Sequence, residues 1–144
     1  MKDEKTSFLG FEYRPGYGDM RGANHLARLV KSESGWVIVC NDREDFAEPE
    51  TVTTYAVLTD KLAPFEELLE DVIPLAKRKK SDMFATDYTP WNFCIELETQ
   101  KGRVFYNIEE YRRYSEADYA LLDRVRREFE ALRGDKISES RETQ

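Results

Sequence analysis

The chain of 144 residues carries 29 acidic against 22 basic side chains, a formal charge of −7, and is 40% hydrophobic and 12% aromatic. That length suits one domain with its own core, the apolar content excludes a disordered chain, and the acidic balance argues against a duplex nucleic-acid binder, which needs cations to neutralise phosphates. No apolar run approaches the roughly 20 residues of a membrane helix, and the charged start Met1-Lys2-Asp3-Glu4-Lys5 has no apolar stretch behind it, so a cytoplasmic protein without secretory signal or membrane contact is expected.

Thr6 to Tyr13 is strand-like, with Phe8, Leu9, Phe11 and Tyr13 around Gly10. Arg14 to Asn24 holds Pro15, Gly16, Gly18 and Gly22, the composition of an irregular loop. His25 to Lys31 and Trp36 to Asn41 flank Ser32-Glu33-Ser34-Gly35, a hairpin turn in which Gly supplies a positive φ. An acidic loop from Asp42 to Glu50 leads to a fourth strand, Val52 to Leu58, rich in β-branched residues.

A helix is predicted beyond Pro64, with Leu68, Leu69, Val72 and Ile73 on one face and Pro74 ending or kinking it. The basic run Lys77-Arg78-Lys79-Lys80 complements the helix dipole there, and its alternative use is contact with phosphate or anionic lipid. After the loop Ser81 to Asn92, Phe93, Ile95 and Leu97 alternate with Cys94, Glu96 and Glu98, and Val104, Tyr106 and Ile108 resume the pattern past Gln100-Lys101-Gly102. Period-two alternation on both sides of a Gly turn predicts a hairpin with one buried face. Ser115-Glu116-Ala117-Asp118 has the hydroxyl-then-acid spacing of a capping box, opening a helix whose stripe is Leu121, Leu122, Val125, Phe129 and Leu132 and which Gly134 can close.

These elements predict one α+β domain over residues 1–134: a mostly antiparallel sheet of about five or six strands with two main helices, order ββββαββα, packed on one face. Residues 135–144 are polar and are expected to be a disordered tail.

No assembled catalytic set stands out. Gly16, Gly18 and Gly22 are spaced loosely like a phosphate loop, but a phosphate cradle needs a strand feeding a helix, and here another strand follows. His25 is the only histidine; Asp19 or Asp42 is available to orient it and Cys40 to act as its nucleophile, against a strand-end histidine with no catalytic task. Cys40 and Cys94 fall in strands and read as two small buried hydrophobes, and with one histidine they make no zinc site. Asp42, Glu44, Asp45, Glu48 and Glu50 offer oxygen ligands to a divalent cation but lack an alternating loop pattern, so a solvated acidic surface is the simpler reading. Phe84, Tyr88 and Trp91 share one loop, where aromatics either plug the end of the core or serve as interface anchors.

The stretch Asp87-Tyr88-Thr89-Pro90-Trp91-Asn92-Phe93-Cys94-Ile95-Glu96, followed by Gly102 and a late amphipathic helix, resembles a pattern in small uncharacterised bacterial α+β domains: an Asp ahead of a Trp that opens a hairpin, then a C-terminal helix. The resemblance implies the fold and assigns no activity. The chain departs from it after the second hairpin strand, where Asn107-Ile108-Glu109 replaces a glycine and proline.

The leading expectation is therefore a non-enzymatic protein-interaction module without metal or cofactor, meeting a protein partner through Tyr88, Trp91, Asp42, Glu44, Asp45 and Glu48. One alternative is a small-molecule or anion pocket, hydrolytic in one version, between loops 14–22 and 81–92 and built from Arg14, Tyr17, Arg21, His25 and Asp87. Another is an acidic nucleic-acid mimic that inhibits a DNA-binding protein, which follows from charge alone.

Overall fold

The computed structural model describes residues 6–16, 24–44, 47–81 and 90–142. Its elements are β1 (Ser7–Arg14), β2 (Asn24–Ser32), β3 (Gly35–Arg43), β4 (Glu50–Val57), α1 (Leu62–Val72), β5 (Asn92–Thr99), β6 (Gly102–Glu109), α2 (Glu116–Ala131) and β7 (Arg133–Glu142). The strands form one sheet in the order β6-β5-β1-β2-β3-β4-β7, and every neighbouring pair is antiparallel. The protein is thus α+β with an antiparallel sheet, as its patterning predicts, but with seven strands in place of five or six.

The additional strand is β7. Residues 135–142, read from sequence as part of a disordered polar tail, instead belong to β7, which pairs with β4 from Tyr55↔Lys136 to Glu50↔Glu142 over this span. A strand at a sheet edge draws its order from backbone hydrogen bonds and needs little apolar alternation, which is why the pattern was silent. Gly134 does not close α2 in a left-handed conformation; Leu132 caps the helix and β7 starts at once. A Cβ at Gly134 would stand 3.2 Å from the Ala56 carbonyl oxygen and 3.3 Å from Leu58 Cδ2, so this glycine permits a close strand approach.

Both long hairpins use one turn. Gly35 and Gly102 take φ of 123° and 111°, and the hydroxyls of Ser32 and Thr99 donate to their carbonyls at 2.7 and 3.0 Å. In β1 the register slips between Phe8 and Gly10, leaving Leu9 as a bulge. Phe8 then returns to the helix side and packs on Trp36 with ring centroids 5.3 Å apart.

α1 buries Phe65, Leu68, Leu69 and Val72, and the α-helix stops ahead of Pro74, giving way to a 3₁₀ stretch over Ile73–Lys77. α2 buries Leu122, Val125 and Phe129 with Leu132 beyond, the predicted stripe except that Leu121 is half-buried. Phe129 and Phe65 meet at 5.9 Å, and both meet Phe11 of β1, at 4.9 and 5.3 Å. The two helices therefore cover the same sheet face.

The chain must cross the sheet between β6 and β7, its two edges. Six strand spacings of about 4.8 Å make roughly 29 Å, while the 16 residues of α2 span about 24 Å at 1.5 Å each. The helix is long enough, with its short connections, to bridge edge to edge.

One end of the sheet gathers residues far apart in sequence. Arg14 pairs with Asn92, Asn92 with Glu109, and Asn24 with Arg43. The chain leaves this end after Arg14 and after Arg43, and enters it at Asn24, Glu50 and Asn92.

Candidate functional site

Two clefts open at that end, both on the helix side and both bordered by Tyr13. The first, about 260 Å³, lies among Tyr13, Trp91, Phe93, Tyr119 and Leu122, with Asp123 and Arg126 on its rim. Trp91 enters it from the position immediately ahead of β5 and is half-buried, packed at 5.6 Å on Phe93 and at 6.1 Å on Tyr114. Tyr119 continues the aromatic row edge-on to Tyr114 at 5.4 Å while remaining 51% exposed. Reciprocal bonds fix Trp91 in place: its amide donates to Glu110 Oε1 at 3.1 Å, and the Glu110 amide donates to the Trp91 carbonyl at 3.2 Å. On the rim Arg126 pairs with Asp123, whose carboxyl it holds below the usual carboxylate range. The cleft is an apolar aromatic slot with a compensated ion pair beside it.

The second cleft, about 370 Å³, involves Tyr13, His25, Cys40, Asp42, Tyr55, Phe129, Glu130 and Arg133. The pairings Ala27↔Cys40 and His25↔Asp42 put His25, Cys40 and Asp42 on one face, which the sequence left open. His25 Nδ1 lies 2.9 Å from Asp42 Oδ1 and Nε2 lies 3.6 Å from Glu44 Oε2. Burial pushes the Cys40 thiol up, so it stays protonated at neutral pH and is a poor nucleophile beside this histidine. Arg133 lies 4.5 Å over the Tyr55 ring and reaches Cys40 Sγ at 3.8 Å.

The residues singled out from the sequence are distributed as follows. Asp42 and Glu44 face His25, and Glu48 joins them with Arg43 and Arg141 around a shallow hollow of about 230 Å³. The acidic corner is therefore interleaved with cations, one of them from β7. Arg14 is on the opposite, helix-free face from His25, where it donates to Asn24 Oδ1 at 2.9 Å; Asn24 and Asn41 in turn donate to Glu50 at 3.2 and 2.8 Å. These amides keep Glu50 ionised by lowering its pKa. Tyr17, Arg21, Asp45, Asp87 and Tyr88, with the glycine-rich loop around Gly18 and Gly22, lie outside the described residues. Cys40 is on the helix side and Cys94, paired with Glu12, on the other; both are free, and burial with Glu12 and Glu96 nearby pushes the Cys94 thiol up to about 11.

In the basic run, Arg78 is tied to the fold. Its Nε and Nη2 donate to both oxygens of Asp118, at 3.0 and 3.1 Å, and its carbonyl accepts from Arg112 at 2.8 Å. Tyr13, Tyr119, Arg126, Tyr55 and Arg133 were not singled out from sequence. Tyr119 stands three residues before Leu122, a helical spacing that places both on one side, whereas Arg133 has no local signal at all.

Among the described residues no group of histidine, cysteine and carboxylate side chains is arranged to hold a metal ion. Among the described residues no helix is long and apolar enough to cross a membrane. Comparisons with protein-family models, with curated proteins and with solved structures found no match.

Proposed function

We propose that the protein is a non-enzymatic interaction domain that seats one apolar or aromatic side chain of a protein partner in the first cleft. The observation that carries this reading is the aromatic slot itself, formed by Tyr13, Trp91, Phe93 and Tyr119 with Leu122 at its base. Its volume of about 260 Å³ falls below the roughly 300–1,000 Å³ of drug-sized ligand sites, which favours a single anchoring side chain. Such anchors, desolvated in a pocket and ringed by polar groups, dominate the energetics of protein interfaces. The net charge of −7 favours a basic partner through faster encounter, with Asp42, Glu44 and Glu48 on the same end of the sheet adding to it. The same charge disfavours nucleic acid. The resemblance to small bacterial domains names no activity and adds nothing to this choice; a cytoplasmic location belongs to the same proposal.

Peptide display against the intact protein tests it. Tyr119 is half-exposed, so Tyr119→Ala trims the slot without opening the core. Enriched peptides are expected to share an aromatic or large aliphatic residue and to bind Tyr119→Ala at least tenfold more weakly. Failure to enrich any peptide, or peptides indifferent to Tyr119→Ala, contradicts the proposal.

A further inference from the structure

The two edges of the sheet are built differently. β7, on one side, carries two breaks in register against β4 and a row of exposed charged side chains, Lys136, Glu139 and Arg141 among them. Bulges and edge charges of this kind keep a strand from pairing with another chain. β6, on the other side, runs eight residues in unbroken register with β5 and holds Val104, Phe105 and Tyr106 in succession. Phe105, at its middle, is 56% exposed.

The backbone of this edge is open as well. The Glu110 amide donates to the Trp91 carbonyl, which sets the alternation along the β5–β6 ladder. Gly102, Val104, Tyr106 and Ile108 therefore turn their amides and carbonyls to β5, and Arg103, Phe105 and Asn107 turn theirs outward. Among the described residues those outward groups make no hydrogen bond. Past Glu109 the edge is taken, since the Ser81 amide donates to the Tyr111 carbonyl at 2.6 Å and the Arg113 amide to the Lys79 carbonyl at 2.8 Å. The open length thus runs from Lys101 in the hairpin turn to Glu109, and its midpoint is Phe105.

We propose that β6 pairs antiparallel with β6 of a second copy about a two-fold axis at Phe105, joining the two sheets into one. On the helix-free face Phe105 then lies against Phe105 of the other copy and Arg103 against Asn107, while on the helix side Val104 lies against Tyr106. At each end Lys101 comes opposite Glu109. No like charges meet, and the pairs that Arg103 makes with Glu96 at 3.0 Å and Glu109 with Arg112 at 2.7 Å stay as they are. A parallel, in-register pairing would instead set Arg103 beside Arg103 and Glu109 beside Glu109. A foreign strand would meet the same open backbone, but β6 supplies its own side-chain complement, which commits the edge to a second copy. The dimer stands apart from the Trp91 slot and does not depend on the interaction reading.

Sedimentation of the intact chain over a range of concentrations tests the pairing. A species of twice the 16.9 kDa chain mass is expected, dissociating on dilution. Asn107→Pro removes an outward donor and no bond to β5, at a position where an edge strand tolerates proline. It is expected to weaken association at least tenfold while its circular dichroism stays native. Should that variant fold poorly, Phe105→Lys, which sets two ammonium groups together on the axis, serves instead with the same expectation. Oxidation of Phe105→Cys reads the register. Residues opposed in a hydrogen-bonded antiparallel pair stand about 5.5 Å apart at Cα, within disulfide reach, so a cross-linked dimer is expected. Arg103→Cys, placed opposite Asn107, is expected to give none. A native chain that stays monomeric up to its solubility overturns the proposal. So do a dimer undiminished by either edge substitution, and cross-linking through Arg103→Cys in place of Phe105→Cys.

Discussion

Asp118 shows how much one side chain does at the start of α2. It accepts from the Ser115 amide at 3.0 Å while Ser115 Oγ accepts from the Asp118 amide at 3.0 Å, and both its oxygens take the guanidinium of Arg78. The Arg78 bonds, and then the Ser115 amide, hold its carboxyl below the usual range. A folded pKa below the unfolded one gives stability that is complete above the ordinary carboxylate value of about 4 and is lost as pH falls through the folded value. Asp118→Asn is therefore expected to cost about 1–2 kcal/mol at pH 7, a cap's worth, with the difference from the native chain shrinking steadily below about pH 4. Urea unfolding of both proteins at pH 7 and pH 3 checks this, and an equal gap at both pH values contradicts it. The cap was legible in the sequence because its partners are three residues apart. Arg78 was not, because 40 residues separate it from Asp118 and no local pattern carries that pairing.

The last two elements of the chain, α2 and β7, differ in how they declare themselves. α2 shows a 3.6-residue stripe because its face is buried, and Phe129, 2% exposed and touching rings from β1 and α1, is its centre. Phe129→Ala is expected to destabilise by about 3–5 kcal/mol, as core aromatic truncations do, and a melting temperature close to native would refute that placement. β7 shows no stripe because its side chains are almost all exposed and its order comes from β4. Removing residues 133–144 strips β4 of its partner along Glu50 to Val57 and leaves an open edge, the usual route to self-association. The truncated chain is expected to melt at least about 5 °C lower, the effect of roughly 2 kcal/mol in a chain of this size, and to associate beyond the native chain in light scattering. An unchanged melt without added association would show that β7 is dispensable.

At the scale of the molecule, function was less legible than fold. The hairpins and helices follow from periodicity, and His25 near Asp42 follows from counting back from the Gly35 turn. The clefts do not, because they need the order of strands. β5 sits beside β1, far from its predecessor β4, and this alone brings Trp91 and Phe93 to Tyr13. Once that order is known, one end of the sheet presents an aromatic slot and a charged cleft on either side of Tyr13. The slot is the central claim, and Trp91 can report on it directly. In Trp36→Phe, Trp91 is the sole tryptophan. Titration with N-acetyl-phenylalaninamide, an uncharged aromatic probe, is expected to give a saturable blue shift of Trp91 emission with falling access to a neutral quencher. A response that is absent or linear in concentration would contradict an anchoring slot at Trp91.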